Sequence, residues 1–335
     1  MYSRDERDAS MMELVVNVRA RSRSKELATF PFTPPTMELL ANDCVDFQLN
    51  AKRPLVRTYK KGKVATYLLD AKIQTVSGKV YLFLLLAISD QRRPDEVLSD
   101  PLANEPAVPR RIIEKNNGEG SEHSCHIAIS IMPREKNGNQ YLAAVESIPH
   151  VGLYFINSYI RHLFKFISIS NRYSRNDPSG EINDGKYKTV NVFATTNLNG
   201  VPSDDLLRDL KKGILGEIEL SKEESAVKGF DQNEFTVPKK TKLLLTPTGK
   251  GLNGKVFDVV KTVCSTGALK KYSVAKFTWT GLEGQRSSAK FDCETNSVLT
   301  EKYIKRNTFN LPNPLPSSCE KLDDQFCNLL AYWAR

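Results

Sequence analysis

The sequence has no uninterrupted apolar run of the ~20 residues that a membrane-spanning helix needs. Its best candidates are the nine residues Val80–Ile88 and the stretch Val151–Ile169, and Arg161, His162 and Lys165 interrupt the second. The expectation is a chain that is not itself transmembrane. The first ten residues, Met1–Ser10, are charged and lack the apolar core of a secretory signal, so a cytoplasmic location is expected. There is no CxxC pair: the six cysteines Cys44, Cys125, Cys264, Cys293, Cys319 and Cys327 are scattered, which excludes a dense disulfide framework and reads as reduced thiols. Histidine is scarce, with four in 335 residues. His123, Cys125 and His126 form a compact group but lack a second ligand pair at zinc spacing, so a surface loop ahead of a strand is expected there and no metal or other cofactor. His150 and His162 stand alone. Neither a Ser-His-Asp order nor an acidic cluster followed by lysine is present, so enzymatic activity is not favoured. A nuclease whose site assembles only in space is the first alternative, and a protein-interaction scaffold with incidental charge is the second.

What the chain does have is positive charge, 48 Lys+Arg against 39 Asp+Glu, for a formal net charge of +9. Residues 236–290 carry eleven basic residues and two acidic ones, Asp258 and Glu283, an excess equal to that whole net charge. The basic residues are Lys239, Lys240, Lys242, Lys250, Lys255, Lys261, Lys270, Lys271, Lys276, Arg286 and Lys290. Clustered lysines neutralise phosphates and release counterions, which gives salt-sensitive binding with little sequence preference. A solvated basic face is the plainer alternative. A second stripe, Arg19, Arg21, Arg23 and Lys25, would lie on one side of a strand at about 6.7 Å intervals, close to a row of backbone phosphates. Edge-strand charge against aggregation is as good an account of it. The partner these residues suggest is DNA, and duplex DNA first.

Residues Gly249–Lys255 fit GxxxxGK, yet Val256 stands where a magnesium-binding Ser or Thr belongs, so NTP hydrolysis is not expected. A glycine loop feeding a helix can still hold a nucleic-acid phosphate. Tyr272, Phe277 and Trp279 could stack on bases, although alternation with Val274 and Ala275 is the pattern of a core-facing strand.

Period-two alternation predicts a strand over Leu14–Arg23, and two hairpins follow: Val64–Val76 with Val80–Ile88 around Ser77-Gly78-Lys79, and His126–Met132 with Gln140–Ile148. Helices are predicted at Pro34–Leu40, Val151–Ser168, Ser203–Lys212, Lys255–Cys264 and Cys319–Ala334, and later strands at Thr189–Thr195, Lys242–Thr246, Tyr272–Thr280 and Ser287–Cys293. Asp90–Gly120 reads as a long loop with one short helix, and Asn171–Lys186 as a boundary or exposed loop. The expected fold is α+β, two domains of antiparallel sheet with packed helices. The order is a flexible tail (1–10), a hairpin-rich domain (11–170), a linker (171–187) and a basic domain (188–335).

Ser77–Phe83 on the first hairpin, Leu299–Ile304 and Ala331–Arg335 near the end, and the strand, lysine-rich loop and helix of Leu243–Val263 resemble the phage lambda RexA-like exclusion proteins. The resemblance implies a homodimeric, two-domain, sequence-nonspecific DNA-binding protein of abortive defence that works with a membrane effector partner. It also implies a fold similar to ring-forming recombination-associated DNA-binding proteins. This chain is longer, and Asp90–Gly120 and Asn171–Lys186 look like insertions against that pattern.

Overall fold

The computed structural model describes residues 5–22, 27, 30–99, 110–148, 152–178, 182–183, 186–212, 214–223, 240–246, 256–269, 271–281, 284–293 and 298–335. The elements run β1 (Glu6–Ala20), α1 (Met37–Asn50), β2 (Val56–Tyr59), β3 (Val64–Val76), β4 (Lys79–Asp90), β5 (Glu96–Ser99), β6 (Arg110–Ile113), β7 (Ser121–Ser130), β8 (Gln140–Ser147), α2 (Leu153–Ser170) and β9 (Ser174–Asn176). They continue with β10 (Ile182–Asn183), β11 (Lys186–Tyr187), β12 (Thr189–Gly200), α3 (Asp204–Lys212), β13 (Ile214–Glu223), β14 (Lys240–Leu245), α4 (Val256–Leu269), β15 (Val274–Thr280), β16 (Arg286–Asp292), β17 (Arg306–Asn310) and α5 (Asp324–Trp333). The class is α+β, with mostly antiparallel sheets. Among the described residues no helix is long and apolar enough to cross a membrane.

Packing divides the chain into two compact units, Met1–Ala9 with Leu14–Leu198 and Thr308–Arg335, and Ser10–Glu13 with Asn199–Asn307. The division along the chain thus falls at Leu198 rather than within 171–187, because β12 carries the strand pattern on to Gly200. Residues 308–335, grouped by composition with the basic half, belong to the first unit, where α5 lies against β7 and β8. The N-terminal segment is strand from Glu6 rather than flexible tail. The Asp5 carbonyl accepts from Leu311 N–H at 2.7 Å, and Ala9 is fully buried.

In the first unit the sheet order is β2-β3-β4-β7-β8-β1-β12-β9, with β17 beside β1. Its most continuously buried strand is β4, where the six consecutive residues Leu82–Ala87 have no exposed surface. Side chains alternate between faces, so such burial requires cover on both. Helices α1 and α2 lie against β3, and α5 lies against β7 and β8. The β3–β4 hairpin pairs Val76 with Lys79 around Ser77 (φ 47°) and Gly78 (φ 79°). Two central residues with positive φ make the turn whose twist matches that of the strands, and the Ser-Gly pair supplies it. Helix α1 is longer than expected: Thr36 caps it, its hydroxyl accepting from Leu39 N–H at 3.3 Å, and the helix runs on to Asn50. In Asp90–Gly120 the described residues contain no helix but a short ladder, β5 with β6. All of its residues are exposed, so no burial pattern marked it. Within Asn171–Lys186, β9 pairs with β12.

The second unit carries the antiparallel sheet β14-β13-β15-β16. Its inner face contributes Ile218, Leu220, Ala275, Phe277, Trp279, Ala289 and Phe291 to a core completed by Leu206 and Leu210 of α3 and Val260 and Cys264 of α4. Helix α3 starts as expected at Ser203, whose hydroxyl accepts from Leu206 N–H at 3.1 Å. Gly267 of α4 permits close packing, since a Cβ there would stand 3.2 Å from Cys293 Sγ and 3.3 Å from Leu220.

All six cysteines are free and buried. Burial pushes the Cys44 and Cys327 thiols up to about 12, which keeps the reactive thiolate scarce at neutral pH. We expect a disulfide-exchange reagent to titrate almost no thiol in the native protein and all six after denaturation. Rapid native reaction of several thiols would contradict this packing.

Candidate nucleic-acid interface

The charged segment read from the sequence becomes, in part, one face of the second sheet. Phe277 and Trp279 are buried in the core, so the residues that alternate with them, Lys276, Thr278 and Thr280, point outward. On β16, Ala289 and Phe291 are buried, which turns Arg286, Ser288 and Lys290 outward. The antiparallel register then sets Lys276 opposite Lys290, Thr278 opposite Ser288 and Thr280 opposite Arg286. Lys276, Thr278, Arg286, Ser287 and Ser288 line an open depression of about 270 Å³.

Electrostatics distinguish this face. Glu219 of β13 stands across from Lys276, but Lys242 holds its Oε1 at 3.0 Å. Lys276, Lys290 and Arg286 make no ion pair with any described residue. Like charges directly opposite on neighbouring strands destabilise a sheet. Two ammonium groups, a guanidinium and three hydroxyls on one exposed surface form a donor array that an anion would satisfy.

The other candidate residues fare unequally. Lys242 is exposed on β14 but engaged by Glu219, and Lys271 is exposed in the α4–β15 turn with φ 63°. Lys240 opens β14 and Lys261 lies in α4. Lys239, Lys250, Lys255 and Lys270 lie outside the described residues, as does the 249–255 glycine loop. Arg19 and Arg21 are exposed, but β1 ends at Ala20, so its two-residue period stops before Arg23 and Lys25, which also lie outside the described residues. Phe277 and Trp279 are core and offer no stacking face. Tyr272 is half-buried beneath Lys222, whose Nζ is 5.9 Å from the ring centroid.

His123, Cys125 and His126 correct the expectation of a surface loop: all three lie within β7, with Cys125 and His126 buried. His123 contacts the Arg93 guanidinium, and His126 is bound to Glu146. No group of three or more His, Cys, Asp or Glu able to hold a metal occurs among the described residues.

A second concentration of charge escaped the sequence reading. Residues 51–63 contain six basic residues, Lys52, Arg53, Arg57, Lys60, Lys61 and Lys63, and no acidic one. A local charge count over that window would have found it, but the larger excess in 236–290 already accounted for the net charge. Comparison with protein-family models, characterised proteins and solved structures finds no match to this chain.

Proposed function

We propose that the chain binds nucleic acid without sequence preference, holding the phosphate backbone of duplex DNA against the outer face of the β14-β13-β15-β16 sheet. The observation that carries this is the Lys276–Lys290 pair, with Arg286 lining the same depression as Lys276, three cations of which none makes an ion pair among the described residues. A bound phosphate relieves the mutual repulsion and accepts from the neighbouring Thr278 and Ser288 hydroxyls. Backbone contacts of this kind position a duplex but carry no sequence information. Lys271, exposed in the same unit, adds to the positive field. The homodimer, the membrane effector partner, the cytoplasmic location and the phage-exclusion setting belong to the same proposal and rest on the resemblance and the composition.

Duplexes of unrelated sequence should bind with similar affinity, and log K should fall linearly with log salt at about −0.9 per phosphate neutralised. A fluorescence-anisotropy titration across a salt series measures both. Salt-insensitive binding to one defined sequence would overturn the proposal. Metal-dependent cleavage of plasmid DNA would replace it with a nuclease, and indifference to DNA at low salt with a scaffold.

A further inference from the structure

The basic run 51–63 surrounds an edge of the first unit's sheet, because β2 is the terminal strand of its order. Arg57 and Tyr59, two residues apart, share one face of β2, and the Arg57 guanidinium carbon is 5.6 Å from the Tyr59 ring centroid. Tyr59 packs edge-on against Phe155 (5.1 Å) and Tyr154 (6.2 Å) at the start of α2. Tyr154 is 69 % exposed, although it sits in the first turn of a helix whose inner face is core.

From Tyr154 a stripe at helical spacing continues through Arg161 and His162 to Lys165. Arg161 is fixed in place, its Nε donating to Thr196 O at 3.0 Å and its guanidinium to Asn197. Lys165 Nζ stands 4.9 Å from the Phe193 ring centroid. Because Tyr59 of β2 lies against Tyr154 and Phe155 of α2, the cations of the two elements border one surface, and burial, then the charges of Arg57 and Lys165, hold His162 below the usual histidine range. The β2–β3 turn adds Lys60 (φ 50°) and Lys61 (φ 58°), both exposed and both in the left-handed region that disfavours residues other than glycine.

We infer that this surface is a binding site for single-stranded nucleic acid, with a base stacked on Tyr154 and backbone phosphates held by Arg57, Arg161, Lys165 and the Lys60–Lys61 turn. An exposed aromatic flanked by cations is the combination that single strands use and duplexes cannot, since a duplex keeps its base faces covered. Tyr154 to Lys165 spans about 16 Å along the helix, room for two or three nucleotides. Stacking and phosphate contact do not separate DNA from RNA, so both are expected ligands. The inference extends the nucleic-acid reading to a second surface, and the two fail separately.

The test uses the full chain with fluorescent oligothymidylate and oligouridylate of about twelve nucleotides and a duplex of equal length. Tyr154→Ala should weaken single-strand binding roughly tenfold and leave duplex binding unchanged, while Tyr154→Phe keeps the stacking face and retains affinity. Arg57→Glu with Lys165→Glu should remove single-strand binding at physiological salt, with circular dichroism confirming the fold. The His162 ring resonances should shift on adding oligonucleotide to the parent. Wild-type affinity in Tyr154→Ala, equal losses in the Ala and Phe variants, or binding to phosphatidylserine vesicles without binding to oligonucleotides would overturn the inference. Duplex binding that is absent while these results hold overturns only the sheet-face proposal.

Discussion

Reversing two charges on β16, Arg286→Glu with Lys290→Glu, is expected to remove most duplex binding while leaving the protein folded. Affinity scales with salt to roughly the −0.9 power for each phosphate neutralised, so at about 0.15 M salt one fewer neutralised phosphate weakens binding about fivefold, and two fewer about thirtyfold. Repulsion by the new carboxylates adds to that. The slope of log K against log salt should become shallower by about 1.8 for the same two phosphates. Both side chains are exposed, and Thr280, not a charged residue, lies opposite Arg286. Lys290→Glu alone makes an internal control: it turns the Lys276–Lys290 opposition into an attractive pair, which should stabilise the sheet by about 0.2–1 kcal/mol. Affinity and stability would then move in opposite directions, an outcome general damage to the fold does not produce. Unchanged duplex affinity in the folded double variant would leave this face a solvated surface.

Glu146→Ala should cost about 3–5 kcal/mol of stability, the usual penalty for breaking a buried charged network on one side. The Glu146 side chain is 2 % exposed and takes three hydrogen bonds. Its Oε1 accepts from Arg7 Nη1 at 3.1 Å, and its Oε2 from the His126 backbone N–H at 2.9 Å and from His126 Nδ1 at 2.8 Å. The Asp323 N–H donates to His126 Nε2 at 3.3 Å, which places the imidazole proton on Nδ1 facing the carboxylate. Arg7 also donates to the carbonyls of Leu315 (2.5 Å) and Pro316 (2.8 Å). One carboxylate therefore secures the start of β1, the centre of β7 and the C-terminal segment. Its removal leaves Arg7 Nη1 and the two His126 N–H donors without their acceptor. Equilibrium urea denaturation measures the loss, and a change below about 1 kcal/mol would show that the network relaxes at little cost. Glutamine at this position keeps the volume but offers one acceptor where two are needed, so it should recover only part of the loss.

The parts of the fold legible in the sequence are those whose signal is local. Ser77-Gly78 between two apolar runs specifies the β3–β4 turn, Ser203 caps α3, and the aliphatic and aromatic spacing in 153–170 marks α2. The strand β13 is different. Its buried residues Leu215, Ile218 and Leu220 follow neither a strand nor a helix period, because the register shifts between Leu215 and Ile218. A bulge erases the alternation by which a central strand is recognised.

The candidate sites divide the same way. That Lys276, Arg286 and Lys290 alternate with core residues follows from the chain alone, since strand geometry sends neighbours to opposite faces. That Lys276 faces Lys290, and that Lys242 rather than Lys276 engages Glu219, follows from inter-strand register, which exists only once the sheet has formed. Arg57 and Lys165 are more than a hundred positions apart, and only the packing of α2 against the β2 edge, Tyr59 on Tyr154 and Phe155, brings their elements together. By itself the sequence determined that the chain would be basic, α+β and built on hairpins, because composition, period and turn chemistry act over a few residues. Only the tertiary structure decided which cations stand together, because electrostatic neighbourhood depends on distance in space and not along the chain.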